Sequence, residues 1–106
     1  MNIGGKNRPI KVGVNQSILY CRLRDVPINQ IDEDIKKIAN GTSNGSEIRD
    51  LIWAALKDGA RKAKQEFEYT PEDVGDWMED VTKDDIAGFM SELVGTAPKK
   101  KSAKKK

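Results

Sequence analysis

The sequence contains no histidine and a single cysteine, Cys21. Without histidine there is no ordinary general base near neutral pH, no imidazole ligand for zinc and no Ser/His or Cys/His couple. A lone cysteine closes no internal disulfide. It reads as a small buried hydrophobe in a cytosolic or redox-indifferent chain. Aromatic residues make up 6% of the 106 residues, and the hydrophobic fraction, 37%, is low beside a charged fraction of 34%. That balance fits one small, helix-rich, soluble domain better than a large enzyme. No apolar run approaches the ~20 residues that cross a bilayer, and the first residues lack the apolar core of a secretory signal. Spaced glycines are present, but "GTSNG" lacks the Gly-Lys-Ser/Thr of a phosphate loop and "IGGKN" opens no helix pattern. The expectation is therefore no catalytic residue, no metal, no cofactor and no membrane span.

What is there is charge, unevenly placed. The net charge is +2, yet six lysines stand in "KKKSAKKK", residues 99–106. Without them, 13 basic residues face 17 acidic ones. Clustered lysines can hold phosphates, but no aromatics are interleaved to stack on bases, and no nucleic-acid-binding motif is present. Nucleic acid is the lesser expectation, and a solvated tail the greater one.

Along the chain, residues 1–8 are Gly/Asn-rich and read as a mobile N-terminus. "PIKVGV" alternates Ile10, Val12 and Val14, the period of a short edge strand. "NQSILYCRLRD" reads as strand or helix. The helix is preferred, capped by Asn15 and burying Leu19, Leu23 and Val26. A second helix runs from Pro27, with Ile28, Ile31, Ile35 and Ile38 on one face. Its acids come early and its lysines late, as the helix dipole favours, and Asn40-Gly41 ends it. The longest helix is expected over roughly 47–67. Its stripe is Ile48, Leu51, Ile52, Ala55, Leu56, Gly59, Ala63 and Phe67, widened by Trp53 and Ala60. Gly59 and Ala60 are small enough for another helix to approach. That apolar face is wider than one neighbour needs.

"TPEDVGDWMED", residues 70–80, holds five carboxylates. Asp73, Asp76 and Asp80 have spacings that can share a cation, but no third ligand type stands nearby and no Gly-punctuated calcium loop is present. Helix-start chemistry accounts for them. Thr70 caps, Pro71 takes the first helical position, and the acids sit at the positive end. Val74, Trp77, Met78 and Val81 then fall at i, i+3, i+4 and i+7. Thr82 with Asp85 starts a last helix, whose apolar side is Ile86, Phe89, Met90, Leu93 and Val94, with Gly95 and Pro98 stopping it. The chain thus reads as mainly α. It is a single helical domain over 9–96 with about four to five helices and room for a short N-terminal strand or hairpin, followed by a disordered lysine-rich tail over 97–106. Trp53, Trp77 and Phe67 read first as core. The alternative is that part of this set forms a partner-binding surface.

The stretch "LIWAALKDGARKAKQEFEYTPEDVGDWMED" resembles the tail assembly chaperones of long-tailed bacteriophages. In that family a helix of the form L-x-W-A-A-L-K-x-G-A, a short polar connection and "T-x-E-D-V-G-D-W" recur. "VGVNQSILYCRLRDVPINQI" is similar to the family's opening, so the likeness spans residues 10–95. None of these motifs is chemically diagnostic. The resemblance implies a non-enzymatic protein that binds the tape measure protein, keeps it soluble, and helps the tail tube protein polymerise around it. It would act in the host bacterial cytoplasm and be absent from the finished virion. The tail tube protein is a further partner, and a homo-oligomer is left open. The lysine-rich end departs from the family pattern. The client-contact candidates, chosen from the apolar faces, are Trp53, Leu56, Ala60, Phe67, Trp77 and Phe89. A packaging accessory working through the lysine tail, or a structural connector or tube component of the tail, are the competing readings.

Overall fold

The structure, a computed structural model, describes residues 1–95. The lysine-rich tail expected beyond residue 96 lies outside the described residues. A two-strand antiparallel hairpin, β1 (Asn2–Ile3) and β2 (Lys6–Asn7), opens the chain. Five helices follow: α1 (Val14–Arg24), α2 (Gln30–Ala39), α3 (Ser46–Lys62), α4 (Pro71–Met78) and α5 (Lys83–Gly95). The mainly helical class with a short N-terminal hairpin is as the sequence indicates, but the hairpin falls on residues 2–7, expected to be mobile, and not on the strand expected at 10–14.

α3 is the central element, and α1, α2 and α4 pack around it. Its apolar face is wide because it has several neighbours. Leu51, Ile52, Ala54, Ala55 and Leu56 are all buried, in one cluster with Tyr20 of α1, Ile31 of α2, Val74 of α4 and Phe89 and Leu93 of α5. The small residues of α3 admit an extended segment and not another helix. A Cβ on Gly59 would sit 2.4 Å from the Pro9 carbonyl oxygen. One turn earlier, Ala55 O accepts from the Lys11 amide at 3.1 Å. Residues 9–12 therefore form no strand of their own.

Residues 1–8 belong to the domain. Gly4 and Gly5, at φ 64° and 83°, make the two-residue turn that brings β1 back on β2. Ile3 is 2% exposed and joins the core. Arg8 ties the turn down by donating to the carbonyls of Ile3 (2.9 Å) and Gly4 (3.0 Å).

The element ends show where local signals suffice. Asp73 N–H donates to Thr70 Oγ1 at 3.1 Å and Thr70 N–H donates to Asp73 Oδ2 at 2.9 Å, a reciprocal capping box with Pro71 in the first turn. Thr82 accepts from the Asp85 amide at 3.1 Å at the start of α5. By contrast, α3 stops at Lys62, short of the expected 67. Lys64 turns left-handed (φ 60°), its N–H reaches Arg61 O at 3.1 Å, and the Gln65 N–H reaches Ala60 O at 2.8 Å. That is the Schellman pattern with lysine where glycine is usual. Phe67 thus lies in the connection, not on the helix.

The buried side of α1 also differs from the expected one. Gly13, not Asn15, stands at its N-cap, and Gln16 and Tyr20 are the residues it buries, while Leu23 is exposed. Gln16 Nε2 donates to Leu51 O at 3.3 Å, and Tyr20 OH donates to Asp34 Oδ2 at 2.7 Å. α2 begins at Gln30, so Ile28 is exposed, and Ile31 and Asp34 face inward.

A polar network joins α1, α2 and α3. Gln30 adds a second bond to Asp34 at 3.0 Å, and Arg24 reaches Asp50 at 2.7 Å and Glu47 at 3.4 Å. Burial would raise the Asp34 pKa, but the bonds from Tyr20 and Gln30, with Lys37 and Arg24 nearby, outweigh it and hold the carboxyl below its usual range. A depressed folded-state pKa contributes stability that is present above the unfolded value and is lost as pH falls through the folded one. Tyr20→Phe removes the shortest of these bonds from a buried charge. It is expected to cost roughly 2 kcal/mol at neutral pH. The difference from wild type should close in acid, as Asp34 protonates. Urea titrations at neutral and acidic pH check this, and a pH-independent difference would contradict it.

Candidate functional site

The six residues expected to contact a client do not make one surface. Leu56, Ala60 and Phe89, at 1%, 4% and 2% exposure, are used inside the molecule. Trp53, Phe67 and Trp77 are half-buried and meet around Tyr69. The Trp53 indole donates to the Tyr69 carbonyl at 2.8 Å. The Tyr69 ring packs edge-on against Phe67 at 5.2 Å and Trp77 at 4.8 Å. The Arg8 guanidinium lies over Trp77 at 4.3 Å and over Tyr69 at 5.1 Å. This corner exists because α3 ends early and residues 63–70 fold back beside it. Tyr69 was not among the candidates. Its signal, an aromatic pair in the polar run "EFEYT", was there.

An open concave feature lies between α1, the C-terminal half of α3 and that connection. It is a groove of about 620 Å³ lined by apolar Ile18, Leu19 and Phe67, with Arg22, Lys57 and Arg61 among its polar residues. Phe67 alone of the six candidates lines it. Leu56, Ala60 and Phe67 instead border a smaller hollow of about 200 Å³ beside Arg8 and Tyr69. The groove's apolar lining continues along α1 to Val14, which is 74% exposed.

The electrostatics of the groove are set by Asp58, which is buried beneath it. Asp58 Oδ1 accepts from Arg61 Nε at 2.7 Å and fixes that guanidinium. Among the described residues Oδ2 accepts no hydrogen bond, with Lys11 Nζ 3.7 Å away, inside ion-pair range but too long for a bond. Arg22 and Lys57 have no carboxylate partner among the described residues. Lys57 instead lies 5.6 Å from the Trp53 ring. The groove is therefore cationic. The charge of the chain divides the same way: residues 1–64 carry 12 basic and 7 acidic residues, while 65–95 carry 10 acidic and one basic.

The carboxylates of 70–80 are spent as helix-start groups or lie exposed, as Glu72, Asp76, Glu79 and Asp80 do. Among the described residues, no group of three or more potential metal ligands converges, and no helix is long and apolar enough to cross a membrane. Cys21 is half-buried and donates to Pro27 O at 3.6 Å, and burial, with the charge of Asp34, raises its thiol pKa. No family model, curated protein or solved structure matches this chain.

Proposed function

We propose that this chain is a tail assembly chaperone of a long-tailed bacteriophage. It binds the tape measure protein and assists assembly of the tail tube without catalysing a reaction. The sequence pattern over residues 10–95 supports the reading, and the structural observation that carries it is the open groove with an apolar floor and a cationic rim. A client helix lays its apolar stripe on Ile18, Leu19 and Phe67, while its polar flanks meet Arg22, Lys57 and Arg61. Such a mixed and partly wet contact is reversible, as a chaperone later displaced by tube protein requires. The protein acts in the host cytoplasm and is absent from the virion.

Co-expression with the tape measure protein of the same genome is the test. The client is expected to become soluble and to co-purify. Ile18→Asp, on the groove floor, should reduce its recovery several-fold while leaving the fold intact by circular dichroism. A client that stays insoluble sinks the proposal. Mass spectrometry of purified virions would instead favour a structural tail component if the chain were found there.

A further inference from the structure

We infer that the groove between α1 and α3 selects by charge: its occupant is an acidic amphipathic helix of the client, with carboxylates on both flanks of its apolar stripe. This rests on the reading of the groove as the client site and adds the chemistry of the segment that enters it. Val14, Ile18 and Arg22 are spaced four apart on α1, so they form one row that passes from apolar to basic. Val14 and Ile18 are 74% and 37% exposed. Lys57 and Arg61 are likewise four apart on α3. Both helical walls of the groove therefore carry cations, with Ile18, Leu19 and Phe67 as the apolar lining. A helix laid between the walls meets positive charge on either side of its stripe, and a carboxylate is the matching group there.

The positive charge is not neutralised from within. Among the described residues no carboxylate pairs with Arg22 or Lys57. Asp58, the acid among the lining residues, is 1% exposed, with Oδ1 bonded to Arg61 and Oδ2 turned to Lys11. Its charge is spent inside the protein. A nucleic acid would also answer to the cations, but the rest of the groove suits it poorly. Ile18 and Leu19 offer no ring to stack a base on, and Phe67 is engaged edge-on with Tyr69 at 5.2 Å. Glu66 and Glu68 stand exposed on either side of Phe67 and repel a backbone charged at every residue. A helix carries its acids only where its sequence puts them.

Two synthetic helical peptides of about 20 residues, free of tryptophan, test this by their effect on the fluorescence of Trp53 and Trp77. One carries a leucine stripe flanked on both sides by glutamates, the other the same stripe flanked by lysines. At about 20 mM salt the glutamate peptide should bind at least about tenfold more tightly. At about 0.5 M salt, where screening acts within roughly 4 Å, the ratio should fall below about threefold. The double variant Arg22→Glu, Lys57→Glu changes exposed or half-exposed side chains, and circular dichroism confirms that it folds. It should invert the preference. Ile18→Ser, which alters the floor and no charge, should weaken both peptides alike. Equal affinities at low salt, a preference for lysine, a preference that survives the double reversal, or no binding of either peptide would overturn the inference. So would a single-stranded oligothymidylate that displaces the glutamate peptide at equal concentration. Co-expression with the tape measure protein keeps the two readings apart. A client kept soluble equally by the wild type and by the doubly reversed chain leaves the chaperone reading standing and removes this one. A client rescued by neither removes the chaperone reading, while the peptide ratio still decides the charge preference of the groove.

Discussion

Gly59→Ala is expected to destabilise the protein by about 2–3 kcal/mol, although alanine is the better helix former. The added Cβ would stand 2.4 Å from Pro9 O and 2.6 Å from both Pro9 C and Ile10 Cα. All three are backbone atoms, so no rotamer change relieves the overlap. Segment 9–11 must lift from α3, which also stretches the bond from the Lys11 amide to Ala55 O. Tm should fall by roughly 10 °C. Gly88→Ala on α5 is the control, because nothing lies within 4 Å of its Cβ position. There only the backbone entropy of glycine is removed, and a gain of about 0.5–1 kcal/mol is expected. Two substitutions of one type should thus move Tm in opposite directions. Parallel stabilisation would mean that the chain does not cross α3 at Gly59.

Arg24→Ala is the second large effect, roughly 2–3 kcal/mol at neutral pH. The Arg24 guanidinium links α1 to Glu47 and Asp50 of α3, whose side chains are only 8% and 4% exposed. Without it both carboxylates remain buried with fewer partners. The loss is moderated because Arg49 still reaches Asp50 at 2.9 Å and Ser43 still donates to Glu47 at 2.6 Å. The Ser43 bond, against the opposing effect of burial and aided by Arg24 and Lys37, holds the Glu47 pKa below its ordinary value. Stability from a depressed carboxyl is complete above the unfolded pKa and fades as pH falls through the folded one. The variant should therefore differ most from wild type at neutral pH and least in strong acid. Arg24→Lys should fall between, since an ammonium cannot engage two carboxylates with a planar fork. Chemical denaturation across pH reads all three, and an equal loss at every pH would leave packing of the Arg24 stem as the cause.

The parts of the fold that the sequence made legible are those whose causes are local. Thr70, Pro71 and Asp73 lie within four residues, and their capping box formed where the pattern placed it. α2 and α3 followed from apolar spacing. What was not legible depended on distant partners. Counting hydrophobic residues put Leu23 inside and gave no place to Gln16 or Tyr20. Those two are buried because acceptors 35 and 14 residues away, Leu51 O and Asp34, satisfy them. The end of α3 was missed because its left-handed residue is Lys64, which carries no glycine signal. The six client-contact candidates lie apart for the same reason. A wide apolar face on α3 looks unpartnered until the hairpin, segment 9–12 and residues 63–70 are known to cover it. Leu56, Ala60 and Phe89 then become interior. Phe67 remained at the groove because it sits in the connection.

The corner around Tyr69 gives the protein a built-in optical gauge. Trp53 and Trp77 are the only two tryptophans, and both are fastened to that one residue, by its carbonyl and by its ring. Near-ultraviolet dichroism and intrinsic fluorescence will therefore follow the posture of residues 63–70 more than the integrity of the α3 core. Phe67 joins the same corner to the groove floor. Occupation of the groove should be visible in unlabelled protein as a spectral change well before any change in helix content.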